Sequence, residues 1–188
     1  MKKQKNLYRL VSFILVQCLM ITGLFMFSSC EKDEDKQDSL VGTYVFTSAI
    51  LTEDLVYQTQ TIMPAGTNVS TVVRTGLLGS APCSNPSNAA VELKKNKELY
   101  FVCLTEANEE KAGTWDVNSE RTILTLNLSA PPLPAALSLE VIDFVEGTTS
   151  FTGSIENLPI TGDLIPGGLL PPTVILLMSF DVQFSKVL

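Results

Sequence analysis

Histidine is absent from all 188 residues, and that absence removes most routes to catalysis at neutral pH. Ser-His-Asp and Cys-His nucleophiles, histidine general bases and histidine metal centres all require an imidazole. The chain also has no Gly-rich phosphate loop, no EF-hand calcium loop and no Cys-x-x-Cys pair, so nucleotide and structural-metal chemistry have no motif to build on. No metal and no cofactor is expected. Carboxylate chemistry is what remains. Glu140 with Asp143, or Glu106 with Glu109 and Glu110, could supply the acid and base of a carboxylate-based hydrolase. Glu109 and Glu110 stand in a polar turn, however, and a period-two strand puts Glu140 and Asp143 on opposite faces. The chain reads as non-enzymatic, with no catalytic residues.

Long apolar runs are equally scarce. One occurs, at 10–27, behind Lys2, Lys3, Lys5 and Arg9 and ahead of Ser28-Ser29-Cys30. It is short for a span that must cross about 30 Å of hydrocarbon, and with its basic start and small-residue end it reads as a secretory signal. Phe27-Ser28-Ser29-Cys30 resembles a bacterial lipobox. That resemblance implies cleavage before Cys30, loss of residues 1–29 as a signal peptide, and attachment of acyl chains such as palmitate to Cys30. More than one chain, at about 0.8 kcal/mol per buried methylene, makes a stable membrane anchor. Residues 30–39 hold five acidic residues and only two lysines before the first leucine, a composition that stays solvated and serves as a flexible tether. An acidic run directly behind the cysteine resembles the export signal of surface lipoproteins in Bacteroidota, which implies the outer membrane, lipid-anchored at the cell surface. The alternative is a plain linker on a periplasm-facing lipoprotein.

Basic charge is also sparse. Without the leader, nine basic residues face twenty acidic ones, and Arg74, Lys94, Lys95, Lys97, Lys111, Arg121 and Lys186 are scattered rather than gathered in a stripe. Such a surface repels phosphate, so no nucleic-acid partner is expected. The remaining length suits one domain, at 40–188.

From Leu40 onward no long helical period appears. Short stretches alternate apolar with polar and are divided by turn residues, the signal of half-buried strands. The first covers 41–52, with Tyr44, Phe46, Ser48 and Ile50 on one face and Val45, Thr47, Ala49 and Leu51 on the other. Further strands are predicted at 55–63, 69–78, 91–94, 98–105, 113–117, 122–128, 137–145, 149–155 and 173–187. Strands joined mainly by short reversals favour an all-β, single antiparallel up-and-down barrel of about eight or nine strands, since closure removes the edges. A sandwich is the other arrangement open to them.

Gly42-Thr43-Tyr44, the hairpin at Lys95-Asn96-Lys97, and Gly113-Thr114-Trp115 leading into Ile123-Leu124-Thr125-Leu126 resemble the lipocalin-like domains of Bacteroidota lipoproteins. The lipocalin pattern has Trp where this chain has Tyr44. The resemblance implies a barrel that holds a small hydrophobic ligand, with Tyr44 and Trp115 at its ends either as core plugs or as ligand contacts.

Once the leader is gone and Cys30 carries lipid, Cys83 and Cys103 are left as a pair outside the cytoplasm, where a disulfide is the expected state. A metal pair or a reactive thiol are the alternatives. Two segments break the rule that loops are polar. Residues 129–136 are Ser-Ala-Pro-Pro-Leu-Pro-Ala-Ala, and 157–172 sets Leu158, Ile160, Leu164, Ile165, Leu169 and Leu170 among prolines and glycines. Both are too rich in proline and glycine for a strand or long helix. They fold over a barrel end as a core lid, or they form an apolar rim in which Leu164, Ile165, Leu169 and Leu170 meet a ligand or another protein. Two functions follow: a lipid-anchored carrier of a small apolar molecule, or an accessory subunit of an outer-membrane assembly whose barrel is filled.

Overall fold

A computed structural model describes residues 37–129 and 137–187. Cys30, the predicted signal peptide, most of the predicted acidic tether and all of the 129–136 loop except Ser129 lie outside these residues. Strands β1 (Gly42–Leu51), β4 (Ala89–Leu93), β5 (Glu98–Cys103), β6 (Glu109–Val117), β7 (Leu124–Leu128), β8 (Leu137–Glu146), β9 (Ser150–Thr161) and β10 (Ile175–Lys186) close into an eight-stranded antiparallel barrel, β10 pairing back onto β1. Each strand after β4 pairs with its predecessor, the up-and-down order that the turn spacing predicts. An insert between β1 and β4 carries the two-stranded sheet β2 (Leu55–Tyr57) and β3 (Gln60–Met63) and one helix, α1 (Ser70–Leu78).

The helix corrects a predicted strand at 69–78. Val72, Val73, Thr71 and Thr75 are β-branched, which favours the strand reading. Burial decides otherwise: Val72, Val73 and Leu78 turn into the core together, at helical rather than alternating spacing.

Bulges in β1 and β8 correct the face assignments, because one extra residue moves everything beyond it to the other side of the sheet. In β1 the pairing slips between Phe46 and Ser48, so Tyr44 and Phe46 point inward but are followed inward by Ala49 and Leu51. In β8 it slips between Ile142 and Val145, with Asp143 in the left-handed region at φ 49°. Glu140 and Asp143, predicted on opposite faces, are therefore both exposed on the outer surface. Gly153 lies opposite this bulge, where a Cβ would stand 2.5 Å from Val141 Cγ1 and 2.7 Å from the Ile142 carbonyl. In β9 two residues, Glu156 and Asn157, oppose Ser179 alone; Asn157 has φ 54° and its amide donates to Ser179 Oγ at 3.2 Å. Beyond that bulge β9 continues through Pro159 to Thr161, so the first five residues of the predicted 157–172 loop are strand. The proline is tolerated because the last β8–β9 pair is Val141 with Ile155, and no ladder bond toward β8 is required of Pro159.

The barrel ends differ. At one end three tight connections, 94–97, 118–123 and 147–149, alternate with the chain's approach to β1. At the other lie the 52–88 insert, the 104–108 turn and the 162–174 loop. The core between them is aromatic along one wall: Phe151 stacks on Phe184 at 4.8 Å, Tyr44 meets Phe151 at 5.0 Å, and Phe46 meets Phe184 edge-on at 5.4 Å.

Candidate ligand cavity and its lid

The tight-turn end is sealed by residues assigned from sequence to the end of the tether. Asp38 and Ser39 belong to the barrel unit and strap across it. Asp38 accepts from the Leu40 amide at 3.1 Å and from Arg121 at 3.1 Å, and lies 3.4 Å from Lys97 Nζ. Arg121 also pairs with Glu146, and Lys186 Nζ donates to the Ser39 carbonyl at 2.9 Å. Beneath this strap Leu40 is wholly buried. Trp115 is 1 % exposed; its indole N–H donates to the Lys94 carbonyl at 3.0 Å and its ring carries the Lys97 ammonium at 3.9 Å. Gly113 permits this corner, since a Cβ there would stand 1.8 Å from the Asn127 carbonyl. Burial pushes the Tyr44 hydroxyl up to about 12, and the nearby Glu146 and Asp38 carboxylates act in the same direction.

At the opposite end α1 lies over the barrel mouth. Its Val73, Arg74, Leu77 and Leu78 face Phe46, Val91, Leu99, Phe101, Leu126 and Phe184 across a cavity of about 20 Å³. That is close to the space one water molecule needs, and an apolar lining keeps such a void dry. The interior is thus filled, and the helix supplies much of the filling. Arg74 is the charged residue of the lining. Its guanidinium donates to the Phe46 carbonyl at 3.3 Å and sits 5.7 Å over the Phe46 ring.

The lid is held at its flanks. On the upstream side the Val69 amide donates to the Ala49 carbonyl at 2.9 Å, Ser70 Oγ accepts from the Ala49 amide at 3.0 Å, and Asn68 bridges to Ile50. On the downstream side Cys83 and Cys103 form the expected disulfide, with 5.4 Å between their Cα atoms. Ser84 adds bonds from its amide and hydroxyl to the Glu106 carboxylate, both at 3.1 Å. Between these moorings α1 is weak: nine residues with an internal Gly76, no side-chain N-cap bond, no acid in its first turn and no base in its last. A short helix of this composition does not form on propensity alone.

None of the six residues predicted to touch a ligand lines the cavity. Tyr44 and Trp115 are core plugs toward the strapped end. Ile165 and Leu170 are buried, Leu164 is half-buried within reach of Gly76 on α1, and Leu169 is 64 % exposed. Ile165 and Leu170 of the 162–174 loop therefore pack as core, while Leu169 stands outside it. The residues that line the mouth come from a segment predicted as a strand, so their convergence was not visible; the one available signal was Arg74, a charge among Val72, Val73, Leu77 and Leu78. The carboxylates do not converge either: Glu106 binds Ser84 and Asn108, while Glu109 pairs with Lys94 at 3.1 Å.

Comparison with protein-family models, curated proteins and solved structures finds no match for this chain. The functional reading therefore rests on the geometry.

Proposed function

We propose that the chain is a non-enzymatic, lipid-anchored carrier of a small apolar molecule, taken up beneath α1 into the barrel. One observation carries the reading: the apolar barrel mouth is stopped by a separately moored, weak helix rather than by side chains of the barrel wall. Eight strands enclose a space that side chains just fill or that one small ligand occupies. Displacing Val73, Leu77 and Leu78 converts the first state into the second while the strap, the strand ladder and the disulfide stay intact. Anchoring through acylated Cys30 at the outer membrane, facing the cell surface, completes the proposal. Within the barrel unit Asp38 lies at the strapped end and the lid closes the other.

A second reading, an accessory subunit with a filled barrel, is favoured by the filled interior together with an exposed apolar face. Ile175 and Leu177 stand on the outer side of β10 at 67 % and 60 % exposure, with Leu169 on the loop before them. Exposed apolar groups of this size suit a protein partner. Native mass spectrometry of the protein extracted from its own membrane tests both. The carrier reading expects a chain that begins at Cys30, bears acyl mass and retains a non-covalent small molecule. A co-purifying protein with no small molecule favours the subunit, and a chain without acyl mass removes the anchor.

A further inference from the structure

We infer that Arg74 is the head-group site for a single-chain amphiphile with an anionic end, whose tail occupies the barrel and whose charge closes the lid. The inference rests on the carrier reading and names the ligand class. Arg74 is half-buried, so its side chain spans from the apolar cavity to solvent. Among the described residues no carboxylate pairs with it: its partners are one backbone carbonyl and one aromatic ring. In a body with more than twice as many acidic as basic residues, it shares this with Lys186, which meets the Ser39 carbonyl and the Tyr44 ring. Lys94, Lys97, Lys111 and Arg121 all have acidic partners.

A guanidinium has five N–H donors in a planar fork that matches a carboxylate or phosphate in two-point contact. The Phe46 carbonyl takes one of them. It is available because β4 leaves β1 after Tyr44, so Arg74 fills a place on the strand edge that a neighbouring strand would otherwise hold. An anion arriving at the mouth offers a stronger, charge-assisted contact. The rest of the lining is aliphatic and aromatic, which suits an unbranched alkyl chain and offers no polar contact deeper in the barrel. The geometry therefore orients the ligand tail-in and head-out. Because Arg74 stands on α1, binding the head group draws the helix back over the tail.

The test uses three ligands of one chain length, dodecanoate, 1-dodecanol and dodecylammonium, titrated calorimetrically into the full chain in detergent-free buffer. The expected order is dodecanoate tightest, by at least about tenfold over dodecanol, as a hydrogen bond to a charged group provides, with dodecylammonium weakest. In Arg74→Gln the ratio of dodecanoate to dodecanol affinity falls to about one, whatever the absolute affinity of either, and Arg74→Lys restores part of the preference. Should Arg74→Gln fail to fold, the head-group order in the parent protein still decides. Equal binding of all three overturns the head-group assignment and leaves the carrier reading standing, as does a preference that persists in Arg74→Gln. Binding of none of the three overturns both.

Discussion

Asp38 ties the start of the barrel unit to three other residues at once: its carboxylate accepts from the Leu40 amide and Arg121 and lies beside Lys97. Desolvation acts to raise its pKa, but the Leu40 amide, Arg121 and Lys97 together outweigh it and hold the carboxyl below its usual value. A carboxyl depressed in the folded state stabilises fully above the unfolded value near 3.9, and the contribution disappears as pH falls through the folded value. Asp38→Asn should therefore lower stability by about 1 kcal/mol at pH 7, the scale of a partly exposed ion pair with one good hydrogen bond. The gap between variant and parent should close as the pH falls through the lowered folded value. Urea unfolding of both proteins across that range is the check; a gap constant with pH would mean that packing of Leu40, and not the Asp38 charge, holds the strap.

Among the elements, α1 and its disulfide divide the labour at the mouth. The helix blocks the interior, and the Cys83–Cys103 bond ties the insert to β5 independently of the helix. A closed loop of about 20 residues contributes on the order of 3 kcal/mol in the chain-entropy model. Reduction should therefore lower the melting temperature by roughly 10 °C, and freshly isolated protein should titrate no free thiol among Cys83 and Cys103. Two titratable thiols would remove the staple. The barrel strands were legible beforehand because each alternates between a buried and a wet face, and because turns such as Lys95-Asn96-Lys97 punctuate them. The bulges were not legible: Thr47 and Asn157 shift the register through pairing with β10, distant in sequence, and Asp143 shifts it within the β8–β9 hairpin with no Gly at the left-handed position to announce it. The helix was hidden for a related reason, since β-branched residues fold as a helix here only because Val72, Val73 and Leu78 find the open barrel below them.

At the largest scale, the barrel unit has one end strapped and one end lidded. Ion pairs and a buried indole close the strapped end. A short helix moored on both sides closes the other. The strapped end and the strand ladder should open only with global unfolding, whereas a lid with few stabilising features of its own belongs to the low end of the local-stability range. The proposed carrier function requires this difference, because a ligand cannot reach an interior with about 20 Å³ of free space unless the lid moves independently. Native-state hydrogen exchange of the full chain, resolved by residue, measures it directly. The amides of Val73 and Gly79, bonded to Val69 and Thr75, should exchange at least about tenfold faster than those of Leu99, Phe101 and Leu126 in the wall, and added dodecanol should slow the lid amides selectively. Exchange of lid and wall at one common rate, unchanged by dodecanol, would contradict a moving lid and leave a permanently filled barrel.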